Sequence, residues 1–366
     1  VSTAAPPRPA ARLASIDIVR GIVIVLMALD HTRDFFGPDA HRLDAATIAP
    51  ALYLTRWVTH LCAPTFVFLA GMGAAISSLP TRALARFLLL RGLLLVALEL
   101  TVIGRSWTFD VAYHFQPLQV IWVLGLSMII LAGLVFLPKR VVAMVSIVII
   151  AGHHVLDGVR GGGVPFALLH HPELVELAPG HRLFIAYPLV PWFAVMALGW
   201  AVGDVWRRAD RRRLLALGGA GLLVLFALIR IPNLYGDPHP WVAQPTAIRT
   251  LLAVFNVEKY PPSLAYLCAT LGIALLGLAA LDRVERRGLL APLETFGRVP
   301  LFLYLIHLPV IHGAAVVVRG LWHEEPFGLP GVYLAWAALT VGLYLPCAAY
   351  ARWKARRPDL TILRYL

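Results

Sequence analysis

Charge is what this chain has least of. Only 14% of its 366 residues are Asp, Glu, Lys or Arg, against 59% hydrophobic, and its mean hydropathy is +0.76. That balance excludes an ordinary soluble domain. Cysteine is also scarce: Cys62, Cys268 and Cys347 each sit inside an apolar run, with no pairing pattern and no metal spacing. A disulfide scaffold is excluded, and the three are read as small core residues. No Walker, dinucleotide-fingerprint or nucleophile-elbow motif occurs, which argues against a self-contained ATP-driven pump. No histidine pair has HExxH-type spacing, so no metal is expected. Alternation of polar and apolar residues is missing, which excludes a membrane barrel. No internal repeat is evident.

What is present is a series of apolar runs long enough to span a bilayer as helix. They fall at about 14–36, 51–77, 83–104, 117–137, 140–156, 184–206, 212–231, 262–281, 296–318 and 328–351. The expected fold class is therefore all-α, a polytopic membrane protein of about ten helices. The first run is too long for a signal-peptide core, and it is read as retained. Net charge is +12, but its distribution argues against nucleic acid. With ten spans, 22 of the 32 Lys and Arg residues fall on one side, including Arg207-Arg208, Arg211-Arg212-Arg213, Arg286-Arg287 and the 352–357 cluster. This is the positive-inside bias and contact with anionic lipid, with both termini cytoplasmic. Residues 1–13 read as a disordered cytoplasmic tail, 14–353 as one transmembrane domain and 354–366 as a cytoplasmic tail.

One stretch breaks the apolar rule. Residues 16–36 read IDIVRGIVIVLMALDHTRDFF, with Asp17 and Arg20 in the first turns and Asp30, His31, Arg33 and Asp34 in the last. Ionisable residues within a membrane span mark a site by default. Arg20 and His31 lie eleven residues apart, hence about 20° apart around a helix and roughly 16 Å along it. The second span opens with Arg56 and His60 one turn apart. Two antiparallel helices are expected to bring His31 and His60 to similar depth. Pro64 breaks that span and frees a carbonyl near His60 at membrane depth, a feature of cavity-lining backbone.

The thirteen histidines crowd the outer half and outer loops, with only His307 nearer the middle. His170, His171, His239 and His323 read as solvated loop residues, whereas His31, His60 and His307 lie in apolar spans beside other ionisable groups. Pro300 and Pro309 are expected to bend the span that carries His307. Glu99, buried in the third span, reads as structurally paired or as part of a relay. The longest outer loop, 157–182, is placed to cover an outer cleft as a lid.

The blocks at 12–36 and 55–71 (TRWVTHLCAPTFVFLAG) resemble bacterial membrane proteins of the heparan-alpha-glucosaminide N-acetyltransferase type. YPLVPWFAVMALG at 187–199, NLYGDPHPW at 233–241, KYPPSL at 259–264 and FGRVPLFLYLIHLPVIH at 296–312 agree with it. The Arg20-x10-His31 spacing is similar to the arginine–histidine signature of the wider transmembrane acyltransferases that O-acetylate surface sugars. The resemblance implies transfer of acetyl from cytoplasmic acetyl-CoA to a sugar hydroxyl or amine on the far side of a bacterial inner membrane.

On that reading Arg20, with Asp17 beside it, holds a CoA phosphate. His31 acts as base or acyl carrier, Asp30 or Asp34 orients a ring, and His60 is the rival base. Arg33, Asp34, Arg56, Glu99, Lys259 and His307 are expected around substrate and oxyanion. A homodimer is compatible with this. Two other classes use the same residues: a proton-coupled transporter or flippase, and a membrane haem protein with His31 or His60 as axial ligand.

Overall fold

The computed structural model describes residues 14–37, 47–159, 161–284, 288–322 and 327–366. The expected tail 1–13, Arg286, Arg287 and His323 lie outside them. Fifteen α-helices follow one another through the described residues. They are α1 (Ala14–Phe36), α2 (Pro50–Thr59), α3 (Cys62–Ile76), α4 (Thr81–Leu98), α5 (Gly104–Thr108), α6 (Val120–Leu134), α7 (Lys139–Gly152) and α8 (Gly163–Leu169). Then come α9 (Trp192–Val202), α10 (Arg211–Arg230), α11 (Ala247–Phe255), α12 (Leu264–Leu281), α13 (Ala291–Arg298), α14 (Pro300–Trp322) and α15 (Leu329–Arg356). Seven helical segments are long and apolar enough to cross a membrane, and the protein is a multi-pass helical membrane protein. α1 has the length as well, but it carries five charged residues.

Proline sets the main breaks. Pro64 cannot donate to the carbonyl four residues back, which is that of His60. The chain turns between α2 and α3 there, and the Tyr266 hydroxyl donates to the freed His60 carbonyl at 2.8 Å. Pro300 likewise separates α13 from α14, so the ninth span begins at Pro300 and not at 296. α1 lies at the centre and packs on α3, α13, α14 and α15. Its contact with α13 is backbone to backbone: a Cβ on Gly21 would overlap the Leu293 carbonyl, and one on Gly297 would overlap the Asp17 carbonyl. Glycine is required at both positions for this approach.

The bundle is mostly helical, as expected, and carries one small sheet at one end. β1 (Phe115–Leu118) pairs parallel with β3 (His181–Ile185), which pairs antiparallel with β2 (Glu173–Ala178). The fourth and sixth spans therefore start later than the hydropathy suggests, at Val120 and Trp192. The left-handed Gly180 (φ 77°) favours the turn of this hairpin. The segment read as a lid loop thus folds as α8 and a hairpin. At the other end of the chain Tyr365 stacks on Phe87 at 5.2 Å and Leu363 is buried.

Candidate active site

The last turns of α1 and the middle of α14 meet at a pair of histidines. His31 Nδ1 lies 2.7 Å from His307 Nε2, and both rings are buried. His307 Nδ1 faces two carbonyls, Tyr304 at 2.7 Å and Leu303 at 3.0 Å. Carbonyls only accept, so Nδ1 of His307 carries the proton and its Nε2, in the neutral ring, is an acceptor. His31 must then donate from Nδ1, which leaves Nε2 of His31 with a bare lone pair. The hydrogen-bond network assigns this tautomer. The ring is also held by Trp107 edge-on at 4.9 Å and by Tyr304 at 6.3 Å.

The expectation that Asp30 or Asp34 orients an imidazole is not met by the hydrogen bonds. Both carboxylates take Arg33 instead, whose Nη2 donates to Asp30 at 3.0 Å and to Asp34 at 2.6 Å. A guanidinium 5% exposed requires such partners, and adjacent turns of one helix supply them. Asp30 keeps electrostatic contact with His31 and Lys259, and Arg56 acts on Asp34.

His60 stands apart from His31. Among the described residues no hydrogen bond joins them, and the His60 ring packs on Tyr266 at 5.5 Å. Its charged neighbours are Lys259, Asp30, Arg56 and Arg33. The two rings diverge because the turn at His60 directs it toward α12, while α14 supplies the partner of His31.

Lys259 reaches this group from the loop between α11 and α12. Arg230, 3% exposed, pins that loop by donating to the carbonyls of Val254, His239, Ala253 and Asn256 and pairing with Asp237 at 3.4 Å. Asp237 in turn accepts from the Glu258 N–H and the Ser263 hydroxyl. The NLYGDPHPW and KYPPSL blocks are thus a bracket for Lys259. Burial opposes its charge, but Tyr187, Tyr260, Tyr266 and the Asp30 carboxylate hold its pKa well above the ordinary value.

Glu99 serves another purpose. A π-helical turn over Glu99–Ile103 aims its carboxylate at the start of α6, where it accepts from the N–H groups of Gln119 at 2.7 Å and Trp122 at 3.2 Å. It caps a helix whose first donors would otherwise be unsatisfied. Arg105, in the same membrane segment, donates to Gln116 at 2.5 Å and not to Glu99.

On the other side of the histidines lies a cavity of about 520 Å³. Its mouth carries Asp17, Arg20, Arg91, Arg298 and Lys354, and its walls are apolar residues such as Ile24, Met27, Leu95 and Leu124. Tyr304 lines the cavity and its ring also contacts His307 at 5.2 Å. The cavity and the histidine pair are therefore separated by one phenol. Arg20 donates to the Leu69 carbonyl at 3.0 Å and stands 3.9 Å from Asp17. Sequence reasoning missed Arg91, Arg298, Lys354 and Tyr304. Only Tyr304 carried a signal, one turn before His307 in the LFLYLIH block.

A helical membrane bundle whose central helix holds a buried histidine pair, with a basic-mouthed cavity behind it, defines a membrane-embedded polar site. Residues 12–233 match the heparan-alpha-glucosaminide N-acetyltransferase catalytic family, and the chain belongs to that family of transmembrane acetyltransferases. No curated protein matches the chain.

Proposed function

We propose that the protein takes acetyl from acetyl-CoA bound at the Arg20 end and transfers it to a sugar hydroxyl or amine that reaches His31 from the opposite side of a bacterial inner membrane. The observation that carries this reading is the cavity: charged at its mouth, apolar along its walls, and closed by the phenol that touches both histidines. Arg20, Arg91 and Arg298 suit phosphate groups, and the apolar walls suit a pantetheine arm.

In this reading Nε2 of His31 takes the proton of the acceptor as its oxygen or nitrogen attacks the thioester carbonyl. The Nδ1–H bond to His307 holds the ring in the tautomer this requires. Negative charge grows on the carbonyl oxygen, and the Tyr304 hydroxyl, which lines the cavity and is buried without a hydrogen-bond partner among the described residues, donates to it. The tetrahedral intermediate collapses by breaking the C–S bond. The CoA thiolate leaves and recovers the proton from His31. Lys259, Arg56 and the Arg33–Asp30–Asp34 group bind the acceptor.

Purified protein in nanodiscs, given acetyl-labelled acetyl-CoA and a panel of amino sugars and glycans, is expected to move label onto a glycan. Failure to bind CoA together with absence of transfer to any acceptor would overturn the proposal.

A further inference from the structure

A second histidine cluster lies outside the His31 site, on the same side of the bundle as His31. α7 ends in His153-His154, a 3₁₀ turn carries the chain to Asp157, and α8 ends against His170. His153 Nδ1 is 3.1 Å from His170 Nε2, and Asp157 Oδ1 is 3.6 Å from the same His170 nitrogen. One ligand atom from each of the three residues falls within 4.8 Å of the others. His153 and His170 are 4% and 1% exposed. Donors bound tetrahedrally to zinc at about 2.0–2.1 Å stand about 3.3–3.4 Å from one another. The separations of 3.1 and 3.6 Å bracket that spacing.

The surroundings orient the carboxylate as a metal ligand. His154 Nε2 accepts from the Leu264 N–H at 3.1 Å, so its Nδ1 carries the proton and donates to Asp157 Oδ2 at 2.7 Å. Asp157 is thereby fixed by one oxygen while the other turns toward His170. A histidine holding a ligating carboxylate from behind is the arrangement that tunes metal sites. The expectation of no metal rested on the lack of HExxH-type spacing. Here two ligands sit four residues apart at a helix end, and the third comes from beyond α8.

We propose that His153, Asp157 and His170 bind one divalent transition-metal ion, zinc by its fit to two imidazoles and a carboxylate, with water in the fourth position. The ion clasps the segment 157–170 to the end of α7, and through His154 to the start of α12. Its role is to fix the elements that cover the acceptor side.

The test uses tag-free full-length protein in detergent, stripped with chelator and titrated with zinc chloride by calorimetry and with cobalt chloride by visible absorption. One zinc per chain is expected, with the intense absorption of four-coordinate cobalt. His170→Ala and Asp157→Asn should each weaken zinc binding at least about 100-fold, and His154→Ala about 10–100-fold. His239→Ala, a histidine on the same side outside the cluster, should bind as the parent does. Each variant is compared with the stripped parent by melting temperature and size-exclusion profile, so that misfolding is recognised. For a variant that misfolds, zinc-dependent protection of the parent's 157–170 segment in hydrogen exchange decides. Stripped parent that binds no zinc, or His170→Ala that binds it as tightly as the parent, would overturn the assignment.

Discussion

His31 Nδ1 and His307 Nε2 stand 2.7 Å apart across a separation of 276 residues. Because the two carbonyls at Nδ1 of His307 fix its proton, His307 sets the tautomer of His31 without facing the cavity itself. His307→Ala is therefore expected to forfeit much of the about 10²–10⁴-fold that proton transfer contributes. CoA affinity in calorimetry should stay as it is. A variant that loses CoA affinity and rate together would place His307 in donor binding instead.

Arg20 is the expected anchor for CoA. Its guanidinium reaches the cavity mouth while one nitrogen holds the Leu69 carbonyl. A hydrogen bond to a charged group contributes about 1.5–3 kcal/mol, so Arg20→Ala should weaken CoA binding by roughly 10–100-fold with the fold retained. Unchanged affinity in calorimetry would count decisively against this role.

The distribution of Lys and Arg gives a topology expectation, since 22 of 32 fall on one side of a ten-span arrangement. Reporter fusions placed after residues 40 and 366 should report opposite sides of the membrane. The same side for both would refute it.

The sequence made the class of fold legible because membrane burial writes itself as long apolar runs. It also made α1 legible, since charges in such a run are conspicuous. Pro64 even pointed to the freed carbonyl that Tyr266 occupies. What it did not carry was partnership across the bundle. His31 pairs with His307 and not with His60, because α14 supplies the nearer ring, and no spacing within one helix encodes that. Arg91, Arg298 and Lys354 read as topology signals, yet they come together at one cavity mouth. The small sheet was hidden for a different reason: strands of four to six residues beside apolar spans merge with them in a hydropathy profile.

Glu99 separates a structural carboxylate from a catalytic one. It is fully buried and accepts from two N–H groups at the start of α6. Glu99→Leu should leave those donors unsatisfied, at about 1–3 kcal/mol each, and lower the melting temperature in detergent. Glu99→Gln keeps one acceptor oxygen for these N–H groups but sets its NH2 against the other, so it should lose less stability than Glu99→Leu and retain most acetyl transfer. Loss of transfer in Glu99→Gln well beyond that in Glu99→Leu, assayed below both melting temperatures, would move Glu99 into a proton relay.

His31 is the residue on which the proposed chemistry turns. Its ring is gripped by His307, Trp107 and Tyr304, its Nδ1 proton is committed, and its Nε2 is left with a lone pair. A histidine there for stability alone would show itself under His31→Ala by a loss of about 1–2 kcal/mol, the worth of one interhelical hydrogen bond. A base would show itself by transfer slowed about 10²–10⁴-fold, well beyond any change in stability. His31→Gln sharpens the distinction, because the amide still hydrogen-bonds to His307 yet cannot accept and return a proton. Its expected outcome is a melting temperature close to the parent, CoA affinity unchanged and acetyl transfer as slow as in His31→Ala. Near-native transfer by His31→Gln would remove His31 from the chemistry, and His60, with Asp30 and Lys259 beside it, would be the next base to test.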